Sequence, residues 1–346
     1  MNKRIGRTTL LVALCSLLVA GAAVGASAKQ KPRAKFDPTC GPTLSKERTV
    51  DGTLGSVTVK GTPKRVVALE FSFVDFLSQI GVKPVGIADD NDSKRITPGV
   101  LRVVDGYTSV GTRAAPSLEK IASLHPDLII ADADRHATIL RQLQNIAPTI
   151  ALDSLKQAYL PNLHSAVLVG RLMNKCGAMR VRVAQDKAIM ARMKAAVLKA
   201  TGGKGEQREA MFVVTTNKVF NVHSDLAYTP SLLKAIGVPS SLVVKPAKNA
   251  NPYAELTMES LLTNNPGIMF VAQNPPHPTT DENFSKSPLW NALSAVKEKK
   301  VYYVNSNLWS KSRGLLAGEL IAQQAVHLLY HKYVPITLPK VTVTNT

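Results

Sequence analysis

The feature that most restricts the fold of this chain is an internal repeat. The segment PSLEKIASLHPDLII (116–130) matches LTMESLLTNNPGIMF (256–270), and in each copy a glutamate, Glu119 or Glu259, lies seven residues before a proline. Proline ends a helix and favours extended backbone just before it, so each copy predicts a helix, a sharp turn and an apolar strand. Such alternation predicts parallel sheets covered on both faces. We therefore expect an α/β chain of two lobes, each with a mostly parallel sheet flanked by helices.

The repeat also fixes the expected domain organisation. Residues 160–200, between the two halves, contain no proline after Pro161 and carry apolar residues at helical spacing. This pattern predicts one long connecting helix that joins the lobes as a stiff element. The expected order is a signal peptide (1–28), an N-terminal extension (29–48), an N-terminal lobe (49–157), the connecting helix (158–200), a C-terminal lobe (206–335) and a tail (336–346).

The first 28 residues have the three parts of a secretory signal peptide. These are the cations Lys3, Arg4 and Arg7, an apolar stretch at 10–24, and the small-residue site Ala26-Ser27-Ala28. A membrane anchor is the alternative, because residues 8–28 are uncharged and about long enough to span a bilayer. The small-residue end favours cleavage and export. Cys15 follows the bulky Leu14, where a lipoprotein signal needs a small residue, so no lipid anchor is expected.

The charge of the chain narrows the choice of partner. Lys and Arg number 43 against 24 acids, which gives a net charge of +19. Nucleic acid is not expected, because aromatic residues make up only 5% of the chain and base stacking needs them.

The exported chain would keep Cys40 and Cys176. Two cysteines in an exported protein can pair or stay apart, and the sequence leaves both possibilities open.

Motifs that would indicate catalysis or a resident metal are absent. The sequence contains no G-x-S-x-G, H-E-x-x-H, G-x-x-x-x-G-K-[ST] or G-x-G-x-x-G. His327 and His331 lie four residues apart on a predicted helix, where a packed or solvated role is favoured over metal binding. The run from Asp89 to Asp92 begins like a calcium loop but lacks the required glycine and closing glutamate. We therefore predict a protein that is not an enzyme and needs neither a cofactor nor a metal of its own.

Basic residues follow the predicted strands in both halves. In open parallel sheets, ligands bind at the carboxyl ends of the strands. Guanidinium groups there suit a polycarboxylate or a phosphate, because they bind bidentately and stay charged. Each arginine alone could form a surface salt bridge, but four at strand ends favour an anion site. The candidates are Arg95, Arg113, Arg135 and Arg313, with Lys311, His223, Tyr253 and Trp309 beside them; for the last two, packing in the core is the alternative.

These motifs carry a family resemblance. The stretch from Val66 onward resembles the periplasmic ferric-siderophore-binding proteins of ABC importers. The motifs that carry the resemblance are LEFSFVDFL, GIADDNDSKR, SVGTRAAPSLEKIA and PDLIIADADRHA, together with SNLWSKSRGLLAGE at 306–319. The similarity is greatest to the ferric-dicitrate-binding type and spans roughly residues 48–335. It implies a class III substrate-binding fold that delivers an iron(III) complex from the periplasm to an importer.

The resemblance also implies roles for particular residues. The four arginines, His223, Tyr253 and Lys311 would contact an anionic ferric siderophore, whose own oxygens would hold the iron. Glu119 and Glu259, one on each lobe, would meet the permease dimer, and the binding protein would be a monomer. A ferric citrate-like complex is the expected cargo. The alternatives are haem, cobalamin or a hydroxamate siderophore on the same fold, or a secreted hydrolase with a basic cleft.

Overall fold

The computed structural model describes residues 46–216, 219–245, 250–273, 284 and 286–336, and the structural statements below concern these residues. The predicted signal peptide, Cys40 and all but the first residue of the predicted tail lie outside them. The described part begins with an antiparallel hairpin of β1 (Glu47–Gly52) and β2 (Gly55–Lys60). Among the described helices, none is long and apolar enough to cross a membrane.

The N-terminal lobe is built on a parallel sheet with strand order β5-β4-β3-β6-β7. The central strands β3 and β6 carry mainly apolar residues that are all buried, which is the pattern of a sheet covered on both faces. The strands are β3 (Val66–Ala68), β4 (Gly86–Ile87), β5 (Thr108–Ser109), β6 (Leu128–Asp132) and β7 (Thr149–Leu152). The helices between them are α1 (Phe71–Gln79), α2 (Pro98–Val104), α3 (Leu118–Ser123) and α4 (Leu140–Ile146).

The C-terminal lobe repeats this plan with one difference. Its sheet has the order β10-β9-β8-β11-β12, in which β8, β11 and β12 run parallel while β9 and β10 are antiparallel to their neighbours. Only two residues separate β8 from β9, too few for the crossover that a parallel pair requires. The expectation of a mostly parallel sheet therefore holds for the N-terminal lobe, whereas this sheet is mixed. The strands are β8 (Ala210–Thr216), β9 (Val219–His223), β10 (Tyr253–Leu256), β11 (Ile268–Gln273) and β12 (Val301–Asn305).

The helices of the C-terminal lobe include α7 (Tyr228–Ala235), α8 (Met258–Asn264), α9 (Pro288–Ala292) and α10 (Ser294–Lys297). The α8 helix precedes β11 as α3 precedes β6, as the sequence repeat predicts. The last helix, α11 (Leu315–Tyr330), leaves this lobe and packs against α1, α6 and α7. It therefore contributes to the contact between the two lobes.

The connection between the lobes differs from the single long helix that was expected. Residues 158–200 contain two helices, α5 (Tyr159–Leu172) and α6 (Cys176–Ala200), which pack against each other. The break lies at Asn174, which adopts the left-handed conformation (φ 55°) that asparagine tolerates better than most residues. Apolar periodicity continues through the break, so the pattern alone did not reveal it.

The two helices approach closely near the break. A Cβ atom at Gly170 would lie 2.5 Å from the Cβ of Met179, so only glycine allows this contact. Cys176, at the start of α6, is disulfide-bonded. Cys40, the other cysteine that the exported chain would keep, lies outside the described residues, and the sequence left its pairing with Cys176 open.

Apolar side chains cover both faces of each sheet. The largest buried cluster extends from the β1–β2 hairpin through α1, α5 and α6 to α11. A second cluster covers the other face of the C-terminal sheet and includes Trp290, and a third covers the other face of the N-terminal sheet. Trp309, the other tryptophan of the chain, belongs to the largest cluster and packs beside Phe270 in the C-terminal lobe.

Candidate ligand-binding site

A buried glutamate draws three of the predicted arginines together. Glu70 follows β3 with Leu69 between them, occupies the position before the first residue of α1, and has no exposed surface. Its Oε2 lies 3.3 Å from Nη1 of Arg113 and 3.2 Å from Nη2 of Arg313, and its Oε1 accepts a hydrogen bond from Nε of Arg135. Arg313 precedes α11 and lies in the other half of the chain. The predicted convergence of arginines from both halves is thus present in the structure.

A second carboxylate, Asp90, links the remaining arginine to this group. Nη2 of Arg113 lies 2.8 Å from Oδ2 of Asp90, and Nη1 of Arg95 lies 3.1 Å from the same oxygen. The backbone N–H of Arg113 also donates to Oδ1 of Asp90, at 2.9 Å. This ties the loop after β4 to the loop after β5. We call Arg95, Arg113, Arg135 and Arg313 the arginine cluster.

The two carboxylates that pair with the arginine cluster, Glu70 and Asp90, favour the ionised form. Burial alone would disfavour the charge on Glu70, but the positive charges of Arg113, Arg313 and Arg135 outweigh it and lower the pKa of Glu70. Burial opposes the charge on Asp90 as well. Hydrogen bonds from Arg113 and the positive charge of Arg113 outweigh this and lower the pKa of Asp90 to about 2. The cluster therefore keeps its ion pairs at any pH at which the protein would work.

The arginines differ in how much of them a ligand can reach. The side chains of Arg113 and Arg313 are only 7% and 6% exposed, whereas those of Arg135 and Arg95 are 22% and 36% exposed. All three guanidinium nitrogens of Arg113 donate hydrogen bonds to Glu70 or Asp90. Arg95 and Arg135 thus form the accessible layer, and Arg113 and Arg313 lie beneath it. Of the four arginines predicted to contact a ligand, the outer two are the ones most open to direct contact.

Lys311 adds a fifth positive charge beside the cluster. It is half-buried, and its Nζ donates to Oδ1 of Asn307 at 3.0 Å. Burial lowers the pKa of Lys311, and the nearby charges of Arg95 and Arg113 lower it further. A cation whose ordinary pKa is depressed by other cations is stabilised by an incoming anion. This position agrees with the predicted role of Lys311.

His223 and Tyr253 lie side by side at the edge of the C-terminal sheet, as the ends of β9 and β10 pair. Their ring centroids are 4.6 Å apart, and His223 packs against Phe212 at 4.8 Å. Burial, with a contribution from the charge of Arg313, lowers the pKa of His223 to about 3, so the imidazole is neutral. The hydroxyl of Tyr253 donates to the carbonyl of Leu155, which precedes α5, and so spans the two lobes.

Trp309 is not available to a ligand, and the predicted contact is wrong for this structure. Its side chain has no exposed surface, its ring lies 4.8 Å from that of Phe270, and its Nε1 donates to Oε1 of Gln324 at 2.8 Å. Residues 307–311 form a single helical turn that directs the indole inward. Of the two interpretations that the sequence left open for Trp309, packing in the core is the one observed.

Asp132 and His136, which lie on either side of Arg135 in the chain, hold its loop in place. Oδ1 of Asp132 accepts the backbone N–H of Arg135 at 2.7 Å, and Oδ2 accepts that of Leu155 at 2.9 Å. His136 is fully buried, with Nδ1 2.9 Å from the backbone N–H of Asp132 and Nε2 2.8 Å from the carbonyl of Arg113. The loops that carry Arg113 and Arg135 are therefore joined through His136.

Glu119 and Glu259 lie on the surface in equivalent positions of the two lobes. Each is the second residue of a short helix, whose N-cap is Ser117 or Thr257. Both glutamates are exposed. Hydrogen bonds to the carboxylate from its own backbone N–H and from Thr257 lower the pKa of Glu259. The repeat seen in the sequence thus becomes a pair of exposed carboxylates, one per lobe.

The fold and this site can be compared with known proteins. A family model described as "Periplasmic binding protein" matches residues 66–308, which is more than half of the chain. The chain belongs to the periplasmic binding protein family. The match extends from β3 through both lobes to the turn that contains Trp309. Among the described residues, no group of three or more His, Cys, Asp or Glu side chains is placed to hold a metal ion.

Two members of this family are similar over most of their length. The Fe(3+) dicitrate-binding periplasmic protein FecB of Escherichia coli K12 is 38% identical over 84% of this chain and 93% of that protein. The Fe(3+)-citrate-binding protein YfmC of Bacillus subtilis 168 is 37% identical over 82% of this chain and 87% of that protein. Among solved structures, SirA of Staphylococcus aureus complexed with staphyloferrin B superposes with a TM-score of 0.71 at 23% identity, over 82% of this chain and 98% of that one. This last likeness concerns the fold.

Proposed function

We propose that this periplasmic binding protein carries an iron(III)–carboxylate complex of the ferric citrate type and delivers it to an ABC importer. The observation that carries the proposal is the arginine cluster with Lys311. Five cations from both lobes meet at the ends of the sheets, while three carboxylates, those of Glu70, Asp90 and Asp92, lie within ion-pair distance of members of the group. An excess of guanidinium groups suits a ligand that presents several carboxylates. The two relatives named for ferric citrate support the same cargo.

Under this proposal the iron is cargo, and the carboxylate and hydroxyl oxygens of the siderophore hold it. The protein binds the outer negative charge of the complex through Arg95 and Arg135, with Lys311, His223 and Tyr253 at the border of the site. No side chain acts as nucleophile or base on the ligand, so the protein binds without catalysing a reaction. The buried layer of Arg113 and Arg313 adds positive potential beneath the ligand.

The remaining steps of the proposal concern transport. The signal peptide exports the chain to the periplasm without a lipid anchor, and the protein works as a monomer with Cys40 and Cys176 paired. Glu119 and Glu259 meet a permease dimer, whose two-fold symmetry suits one carboxylate on each lobe. Exposed ion pairs of this kind contribute little energy but set orientation and speed encounter.

Isothermal titration calorimetry on the purified protein tests the cargo. The panel is ferric citrate, a neutral ferric hydroxamate, haem and cobalamin. We expect ferric citrate to bind most tightly and its affinity to fall as salt rises, because the complex is an anion. Tighter binding of a neutral cargo, or affinity that does not depend on salt, would contradict the proposal.

The Arg135→Ala variant tests the placement of the ligand. Loss of one charge-assisted contact should weaken ferric citrate binding by roughly 2–5 kcal/mol. Arg141→Ala is the matched control, because Arg141 lies exposed on α4 of the same lobe and takes part in none of the ion pairs of the cluster. Equal affinity of both variants would place the site elsewhere.

A further inference from the structure

Glu70 is an acidic residue at the centre of a site that should attract anions. It is fully buried, and it bridges arginines of both lobes, with Arg113 and Arg135 on one side and Arg313 on the other. Its negative charge reduces the positive potential that a ferric citrate complex would meet. If charge alone decided affinity, removal of Glu70 would strengthen anion binding.

The geometry argues for the opposite effect. Unpaired guanidinium groups repel one another and would move apart, and the Glu70 carboxylate holds three of them together. Arg135 is bound to it through Nε, and within the described part of the chain its Nη groups have no hydrogen-bond acceptor. Anchoring through Nε fixes the plane of a guanidinium while its outer donors stay available. An anion can then use those donors without displacing Glu70.

The position of Glu70 supports this arrangement. The carboxylate has no exposed surface, while the side chain of Arg135 is 22% exposed. The arginine therefore lies between Glu70 and the solvent from which a ligand would come. Glu70 also keeps its charge, since its pKa is lowered in spite of burial.

We propose that Glu70 is a positioning residue for the anion site. Through Nε of Arg135 and Nη2 of Arg313 it orders guanidinium groups of both lobes, and the ligand binds on their outer side while these ion pairs remain. The inference rests on the proposed function, because it takes an anionic iron complex as the ligand.

The test compares two variants that each remove one negative charge near the cluster. In Glu70→Gln the amide cannot accept from three guanidinium groups, and we expect ferric citrate affinity to fall about tenfold or more, although the site gains a positive charge. Asp92→Asn is the control. Asp92 is 46% exposed and lies 3.6 Å from Nε of Arg95, and asparagine can keep its cap on the N–H of Lys94. This variant should bind within about threefold of the parent or more tightly.

The readout is the dissociation constant of the folded protein with the number of binding sites measured by calorimetry. A merely structural role would lower the active fraction and leave the dissociation constant unchanged. Glu70→Asp restores the charge with a shorter reach and should recover part of the affinity lost in Glu70→Gln. In the Arg135→Ala background the loss caused by Glu70→Gln should shrink, since one of the groups that Glu70 orders is gone.

Each outcome bears on the inference separately from the proposed function. If the parent does not bind ferric citrate, the proposed function fails. If the parent binds and Glu70→Gln binds equally well or more tightly, Glu70 acts only as a charge and the inference is overturned. Should Glu70→Gln fail to fold, Glu70→Asp replaces it, where weaker binding than the parent supports the inference and parental affinity overturns it.

Discussion

The carboxylate of Asp75 lies directly against Gly314 and caps α11, the last of the described helices. Asp75 belongs to α1 of the N-terminal lobe, and its oxygens accept the backbone N–H groups of Leu316 and Ala317 at 3.3 and 3.1 Å. These are orphan donors in the first turn of α11, which a side chain at Gly314 would normally satisfy. A Cβ atom at position 314 would lie 2.1 Å from Cγ of Asp75. One lobe thus supplies the cap for a helix that follows the other.

This contact predicts that Gly314→Ala is destabilising. The added methyl group would overlap the Asp75 carboxylate, and we expect a loss of about 1–3 kcal/mol in the free energy of unfolding. Denaturant unfolding of parent and variant measures it. Gly177→Ala is the control, because an added Cβ there would meet no other described part of the protein within 4 Å and alanine favours the helix. Equal stability of Gly314→Ala and the parent would mean that the lobes can separate here at no cost.

A second prediction concerns three buried carboxylates around one arginine. Arg182 pairs with Glu319 at 2.7 Å, and Asp186 accepts a hydrogen bond from the hydroxyl of Tyr159. Burial raises the pKa of Asp186 to about 7 and that of Asp75 to about 6, and it raises the pKa of Glu319 as well. Between the ordinary carboxyl pKa and these raised values, the three carboxyl groups are therefore still protonated in the folded protein, whereas in the unfolded chain they have already lost their protons. Their contribution to stability falls as pH rises from about 4 to about 7.

The variant Asp186→Asn isolates this effect. Asparagine resembles the protonated acid, so the variant should gain stability relative to the parent as pH rises from 5 to 8, by an amount on the order of 1–3 kcal/mol. The difference between the two proteins is the measured quantity, because burial lowers the pKa of His223 and His136 and gives the parent an opposing slope. A difference that is independent of pH would mean that Asp186 is ionised throughout.

The two layers of the arginine cluster should respond differently to mutation. Arg113→Ala leaves the buried Glu70 and the partly buried Asp90 each without one main partner, and we expect a loss of about 3–5 kcal/mol in stability together with weaker ferric citrate binding. Arg95→Ala removes a partly exposed pair and should cost about 1 kcal/mol or less. Thermal and denaturant unfolding separate the two. Similar losses in both variants would contradict the layered arrangement.

The exposed glutamates can be tested by transport. Changing Glu119 and Glu259 together to alanine should leave folding and ferric citrate affinity nearly unchanged and reduce iron uptake by cells that carry the cognate importer. The matched control changes Asp105 and Glu255, an exposed acid on each lobe that is outside the repeat. Normal uptake by the Glu119 and Glu259 double variant would mean that these glutamates serve only to stabilise the N-termini of their own helices.

The connection between the lobes predicts a small change in shape on binding. The α5 and α6 helices pack against each other, and α11 packs against α1 and α6. Thr97 and Ser312, from opposite lobes, add a hydroxyl contact of 3.4 Å. We expect small-angle scattering with and without ferric citrate to give the same radius of gyration within error. A clear decrease on binding would mean that the lobes hinge.

The sequence revealed those parts of the fold that depend on pattern. The repeat around Glu119 and Glu259 predicted equivalent helices in the two lobes, and strand ends predicted where Arg113 and Arg313 would meet. Glu70 was missed, because a glutamate between a strand and the helix of LEFSFVDFL looks like an ordinary helix start. Its role depends on a contact with Arg313, 243 residues away, and no local pattern encodes such a contact.

The remaining errors have local causes. The break at Asn174 is a single left-handed residue within a continuous apolar period, so only the backbone shows it. Trp309 lies among the polar residues of SNLWSKSR, so the sequence left both ligand contact and packing in the core open, and its turn directs the ring inward. Strand β9 is antiparallel because only two residues connect it to β8. The repeat led us to expect the parallel arrangement of the N-terminal lobe in the C-terminal lobe as well.

The location of the two tryptophans decides what optical measurements on this protein would report. Trp290 and Trp309 are both buried in the C-terminal lobe, and the chain has no others. Tryptophan emission, excited at wavelengths that tyrosine does not absorb, is therefore a signal from one lobe alone. Trp309 lies four residues before Arg313, so changes at the cluster are within its surroundings, whereas rearrangements confined to the sheet of β3 to β7 would not change this emission.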